Sequence, residues 1–441
     1  HQTLSVTTVP KKGYKSVPWL FQKEIEIPEE WEVVKAESIG EIVGGGTPKS
    51  ENKDFWDGEI LWAVPTDITK LQNNFIEDTE RKITKLGVEK SSAKMLPIGT
   101  VLITTRATVG ECAITTKPIT TNQGFQNIIC KDDFDNYYIL YLIIYFTKNL
   151  LRVSHGTTFL EVNKNQMKKI IFPVPPLPEQ QQIASILSNV DNLIQNTDKL
   201  IEKTARLKKG LIQKLLTKGI DHTKFKKVPW LFGKVIEIPE EWEVKKLSDV
   251  SNHITKGTTP TTGIDKFVEK GIPFIKIENI DSAGNIMINN CSFINEETHE
   301  KLLRSQLSEN DILFTIAGTL GRIGLVKKDQ TPSNTNQAIS IIRLKDQKCI
   351  LLYLSTFLQS VFLKKQIKRL ETIGAQPNLS LTQVSNFIFF SPPLPEQQQI
   401  ASILSNTDEK IQSYERYRQK LQNLKKSLMQ KLLTGEVRVA V

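Results

Sequence analysis

Apolar residues recur at Ile183, Leu187, Val190, Ile194 and Ile201, close to a 3.5-residue period, and continue slightly shifted at Leu207, Leu211 and Leu215. The same beat runs through Ile400, Leu404, Ile411, Tyr414, Leu421, Leu428 and Leu432. Each stretch predicts one long helix with a single apolar stripe. Leu177 to Thr217, if wholly helical, spans about 60 Å. Pro178 suits a first helical position, where no backbone donor is needed, and Glu179 follows where the helix dipole favours negative charge. A helix this long with one stripe needs a partner, and the obvious partner is the other copy.

The intervening stretches have a different texture. Residues 36–174 and 247–391 are rich in Val, Ile, Thr and Gly, punctuated by turn signals such as "GGGTP" (44–48), "WDGE" (56–59) and "GTTP" (257–260). They predict mixed α/β domains dominated by short strands. Each carries an apolar helix near its end, "YYILYLIIYF" (137–146) and "ILLYLSTFLQSVFLKKQI" (350–367). The first is half as long as the roughly 20 residues a bilayer span needs, so it reads as a core helix.

The chain repeats itself. "VPWLFQKEIEIPEEWEVVK" at 17–35 returns at 228–246, differing only at Gln22/Gly233, Glu24/Val235 and Val34/Lys245. "PPLPEQQQIASILSNVD" at 175–191 returns at 392–408 with one change, Val190 to Thr407. Between these blocks the copies have diverged, though "TVG" (108–110) answers "TLG" (319–321) and "TNQ" (121–123) recurs at 335–337. A period this long means tandem domains rather than a solenoid. The boundaries that follow are 1–174 and 220–391 for the two α+β domains, and 175–219 and 392–441 for the helices. Two equal helices packed antiparallel would form a coiled coil with an approximate two-fold axis within one chain.

Net charge adds a partner class. At +10 over 441 residues, the chain suits a polyanion, because a basic surface attracts phosphates. Lys199, Lys203, Arg206, Lys208, Lys209, Lys214 and Lys218 crowd the far half of the first helix against Asp198 and Glu202. They serve either as a solvated coiled-coil face or as a phosphate or partner contact. Cysteines 112, 130, 291 and 349 form no C-x-x-C pair and do not cluster with the five histidines, which argues for scattered thiols in a reducing cytoplasm and against a metal site. There is no phosphate loop and no dinucleotide fingerprint. "PEEWEVKK" (239–246) holds a Glu-x-Lys that its twin "PEEWEVVK" displaces. No catalytic constellation emerges. Within "IPEEWEV", Ile-Pro sets an extended entry and Trp31 and Trp242 anchor each domain on the helices; the alternative is that Glu29, Glu30, Glu240 and Glu241 face a partner.

The paired "PLPEQQQIA" helices ending in "QKLLT-G" (213–219 and 430–435), the paired "IPEEWEV" entries, and the related "GTVLITTRATVGECA" (99–113) and "DILFTIAGTLGRIG" (311–324) resemble a type I restriction–modification specificity subunit. The resemblance covers nearly the whole chain. It implies two target recognition domains, each reading one half of a split, asymmetric site in double-stranded DNA. The helices would hold them apart and dock two methyltransferase subunits, which a restriction/translocase subunit joins. S-adenosylmethionine, ATP and Mg²⁺ would belong to those partners, and this chain would be a non-catalytic subunit. A rival reading is a coiled-coil adaptor whose basic charge is incidental; salt-dependent duplex binding separates the two.

Readout of DNA needs Arg for guanine, Asn or Gln for adenine, and Lys, Ser, Thr or glycine loops for the backbone. The candidates are Thr47, Lys49, Arg106, Thr108 and Thr157 in the first domain. In the second they are Lys256, Thr258, Thr319, Arg322 and Gln376. Asn122–Gln123 and Asn336–Gln337 recur at equivalent places, which suits a structural hydrogen-bonding role as much as readout.

Overall fold

The computed structural model describes residues 12–19, 24–106, 108–153, 161–260, 267–281, 284–345, 348–373 and 378–440. The predicted long helices are Leu177–Lys218 and Leu394–Leu433. The chain forms two units, one of residues 1–201 with 414–441, the other of residues 202–413. Each unit therefore holds one α+β domain, the start of one long helix and the end of the other. No described helix is long and apolar enough to cross a membrane.

In the first unit the helix segments run antiparallel: Asp191 pairs with Lys425 at 2.6 Å and Asp198 with Arg418 at 3.1 Å. In the second, Lys208 pairs with Asp408, and the backbone N–H of Ile220 reaches Glu396 at 3.0 Å. The seam of the first helix follows a strict heptad through Ile183, Leu187, Val190, Ile194, Thr197, Ile201, Thr204, Lys208, Leu211 and Leu215, all buried or half-buried. The shifted stripe expected through Leu207 is thus corrected: Leu207 is 58% exposed, and the seam holds its phase by using polar residues. Lysine and arginine at such positions, matched to Asp191, Asp198 and Asp408, fix register at some cost in stability.

The first domain has a five-stranded sheet ordered Gly40–Gly44, Gln126–Cys130, Val101–Ile103, Cys112–Thr115 and Phe75–Ile76, beside a three-stranded sheet of Ile119–Thr121, Trp56–Ala63 and Arg81–Ile83. The second has Ser251–Lys256, Ile339–Leu344, Ile312–Thr315 and Ile323–Leu325 in one sheet, and Phe267–Val268, Ser292–Ile294, Ile272–Ile275 and Asn334–Thr335 in the other. The apolar helix of the first domain is Asn136–Val153, with Tyr138 to Ile143 in the core. Its counterpart is two helices, Lys348–Gln359 and Val361–Ile373, where one was expected. Ser360 makes the break: its hydroxyl donates to Phe357 O (2.5 Å) and accepts from Phe362 N (3.2 Å), capping the second helix.

The duplicated blocks meet at one corner per unit. The indole of Trp31, fully buried, donates to Glu179 in the first helical turn at 3.1 Å. Trp242 does the same to Glu396 at 2.8 Å. Gln180 and Gln397, one residue on, donate to the carbonyls of Pro175 and Pro392. Tyr138 and Tyr353 donate to the carbonyls of Pro173 and Phe390 on the strands that lead into the helices. The tryptophans anchor each domain on its helix, and the repeated sequence is the sequence of that joint.

Candidate nucleic-acid interface

In the first domain the loop after strand Gly40–Gly44 is pinned from several sides. Gly46 N donates to Thr121 O at 2.8 Å, and two buried indoles hold its carbonyls: Trp62 to Gly46 O at 2.9 Å and Trp56 to Lys49 O at 3.2 Å. A side chain at position 45 would place Cβ 1.9 Å from Asn122 O, so only glycine allows the loop to cross the strand end. The crossing sets Thr47 beside Gln123, and the hydroxyl donates to the amide oxygen. Asn122 turns inward and accepts from Gly124 N at 2.9 Å.

On the other side of Gln123, the bridge Thr104–Phe125 and the bond Thr105 N to Gly124 O bring Arg106 alongside. Its guanidinium forks onto Glu161: Nη2 lies 3.0 and 2.9 Å from the two oxygens and Nε 3.3 Å from one. Both side chains remain over 40% exposed. Nη1 makes no hydrogen bond among the described residues. Thr47, Lys49, Gln123 and Arg106 thus share one exposed end of the domain. Thr108 sits in the adjoining turn, where its carbonyl accepts from Thr104 Oγ1. Thr157 lies outside the described residues.

The second domain repeats the frame with other tips. Thr258 N donates to Thr335 O at 3.1 Å, a Cβ on Gly257 would fall 2.1 Å from Thr335 O, and Thr259 Oγ1 donates to Gln337 Oε1. Asn336 turns inward to Ala338 N at 3.2 Å. Thr319 closes the same turn as Thr108, its carbonyl accepting from Thr315 Oγ1 at 2.5 Å. Ile316 N bonds Ala338 O, which puts Ala317 where the first domain has Arg106; Leu379 N bonds Ile316 O as Val162 N bonds Thr105 O, which puts Asn378 where it has Glu161. Arg322 points inward, with Nη1 on the carbonyls of Ile280 (2.8 Å) and Ile277 (3.3 Å). Thr258 accepts from the exposed Arg304 at 3.0 Å. Lys256 ends its strand half-buried, and Gln376 lies outside the described residues.

The description "Type I restriction modification DNA specificity domain" fits two stretches of the chain, residues 28–205 and 239–423. The chain belongs to the type I restriction modification DNA specificity family. It is 32% identical over 421 residues to the type I restriction enzyme MjaIX specificity subunit of Methanocaldococcus jannaschii, covering 94% of this chain and 95% of that one. The MjaVIII specificity subunit of the same organism is 29% identical over 431 residues, 97% of each. Among solved structures, the S subunit of the type I system of M. genitalium matches with TM-score 0.54 at 15% identity, over 91% of this chain and 96% of that one. A chain from structural work on complex assembly and conformational transition of the type I R-M system matches with TM-score 0.59 at 16% identity, over 93% and 99%. These two likenesses concern the fold.

Each specificity domain also carries groups that sequence reasoning passed over. Arg81 lies over the Trp56 ring, 3.7 Å from its centre, and Trp56 meets Trp62 edge-on at 5.0 Å. Glu161 and Arg304 are partners of Arg106 and Thr258 that lie 55 and 46 residues away, with no local signal to connect them. Among the described residues no group of three or more His, Cys, Asp or Glu side chains could hold a metal. Burial pushes the thiol of Cys130 up to about 12 and that of Cys291 up to about 11, so neither is a ready nucleophile.

Proposed function

We propose that this chain is the DNA-reading subunit of a type I restriction–modification assembly, with each specificity domain binding one half of an asymmetric duplex site. The observation that carries the reading is one frame with two tips. Gly-x-Thr-Pro against Thr-Asn-Gln is built alike in both domains, while Arg106–Glu161 in one is Ala317–Asn378 in the other. An arginine held in plane by a carboxylate presents its remaining edge as a donor to guanine; alanine cannot. Equivalent domains with unlike tips suit half-sites of unlike sequence. Thr47, Lys49, Thr108, Lys256, Thr258 and Thr319 supply backbone contacts in this scheme, and Arg322 holds its domain's own loops.

Each unit also has a groove beside its helix pair. One is lined by Lys425, Lys426 and Met429, the other by Lys208, Lys209 and Ile212, the corresponding residues of the repeat. Two like grooves fit two copies of one methyltransferase subunit, to which S-adenosylmethionine belongs; ATP and Mg²⁺ belong to the translocating subunit that joins them. The chain itself performs no chemistry in this scheme.

Selection from a randomised duplex library, with the chain bound to its methyltransferase partner, tests the reading. The wild type returns a bipartite motif. Arg106→Ala relaxes preference in one half alone, losing about 1–3 kcal/mol of discrimination there. Equal weakening on every sequence makes Arg106 a phosphate contact, and an unpatterned wild-type selection removes the function.

A further inference from the structure

The two domains agree, at their exposed ends, in one feature that packing does not demand. Gln123 and Gln337 are exposed, so neither fills a core. Each is bonded by a threonine from a loop more than 70 residues away, Thr47 and Thr259. The neighbouring asparagines already close the turns, and the glycine crossings already fix the loops. Around these pairs the surfaces have diverged: Arg106 against Ala317 and Glu161 against Asn378.

The chemistry of the pair decides what it can bind. A glutamine reads adenine by using its carbonyl and its amide together. Here the threonine hydroxyl donates to the carbonyl oxygen in both copies, taking one of its two lone pairs, while the NH₂ makes no hydrogen bond among the described residues. The group left without a partner is a pair of N–H donors on a side chain that the threonine holds in place, suited to an anionic oxygen. Two unlike half-sites share no base sequence; they share the sugar–phosphate backbone.

We infer that Thr47–Gln123 and Thr259–Gln337 are matched phosphodiester clamps, one per domain, which grip each half-site at an equivalent phosphate regardless of sequence. The inference rests on the proposed DNA-reading function. Sequence-blind contacts of this kind set the register in which base-reading groups work. Arg106 then reads from a position that Gln123 has fixed, and the second domain reads with other groups from a position fixed by Gln337.

The test uses the full chain with its methyltransferase partner on duplexes carrying one neutral methylphosphonate at each backbone position in turn. Wild type loses affinity by about 3- to 10-fold, the worth of one hydrogen bond, at one phosphate in each half-site that the glutamine variants identify. Gln123→Ala loses a similar factor on every sequence, keeps the wild-type base preferences, and no longer responds to the methylphosphonate in its own half. Gln337→Ala does the same in the other half. Gln123→Glu keeps the acceptor for Thr47, and so keeps the loop in place, but sets a negative charge against the phosphate; its larger loss is relieved by methylphosphonate at that single position. Altered base preference in Gln123→Ala, or a Gln123→Glu variant that binds as wild type does, overturns the clamp while leaving the DNA-reading function standing. Wild-type binding that ignores salt and sequence overturns both.

Discussion

The corners where the two domains join the helices use the same tryptophan and the same glutamate, and differ in what completes them. In the first unit Glu179 is 1% exposed. Arg438 forks onto it, Nε at 2.7 Å and Nη2 at 2.8 Å, and reaches Glu30 of the acidic box with Nη1 at 2.8 Å. These carboxylates hold the guanidinium above its ordinary range, and Glu30 is held below its own by its backbone hydrogen bond and by Arg438. In the second unit Glu396 is 12% exposed and receives the backbone N–H of Ile220 at 3.0 Å and the ring of His222 at 2.8 Å. His222 and Arg438 each follow a "QKLLT" block and its glycine, so they are counterparts. The repeat has kept the anchor and exchanged its third ligand. A carboxylate with almost no exposure needs a permanent cation, whereas one with residual hydration is satisfied by neutral-capable donors.

The largest expected effect removes what the corners share. Trp31→Ala and Trp242→Ala each empty a fully buried indole site and take one donor from a glutamate, so each costs about 3–5 kcal/mol in denaturant unfolding, and the two losses match. Unequal losses mean that the joints are not equivalent. Next come the exchanged ligands. Arg438→Ala leaves Glu179 with the Trp31 indole alone and costs about 3 kcal/mol. His222→Ala leaves Glu396 with two donors and costs about 1 kcal/mol. Equal costs would show that the cation adds nothing a neutral donor lacks.

Much of this architecture is legible in the sequence because duplication amplifies weak signals. One "PLPEQQQIA" suggests a helix start; two, each paired with "IPEEWEV", define a joint. The heptad was legible through its apolar members and lost phase at Leu207, because Thr197, Thr204 and Lys208 occupy seam positions and carry no hydrophobic signal. Ser360 splits a helix that apolar periodicity alone runs straight through. The tips were legible as residue types, with Thr47 and Arg106 among them, but their partners were not. Gln123 and Glu161 meet them across 76 and 55 residues, a distance that strand pairing closes and no local pattern reports. In the second domain the sequence pointed to Thr258, while the hydroxyl on Gln337 belongs to the next residue, Thr259.

The smallest expected difference lies in the seam, between two ion pairs that the repeat makes equivalent. Asp191 is 14% exposed and accepts from Lys425, from Tyr141 Oη at 2.7 Å and from Asn74 Nδ2 at 2.9 Å. Burial, then the Asp191 charge, holds the Tyr141 phenol above its ordinary range, so it stays a donor at any working pH. Asp408 is 45% exposed, and among the described residues Lys208 is its one hydrogen-bond donor. Asp191→Ala strands three donors where the first domain meets its helix and costs about 2 kcal/mol. Asp408→Ala opens a hydrated pair and costs about 0.5 kcal/mol. Raising salt narrows the second loss and spares most of the first, since exposed charges are screened and buried ones are not. If both losses fall together with salt, Asp191 acts only as a surface charge, and the first domain is held to its helix by the tryptophan corner and the core they share.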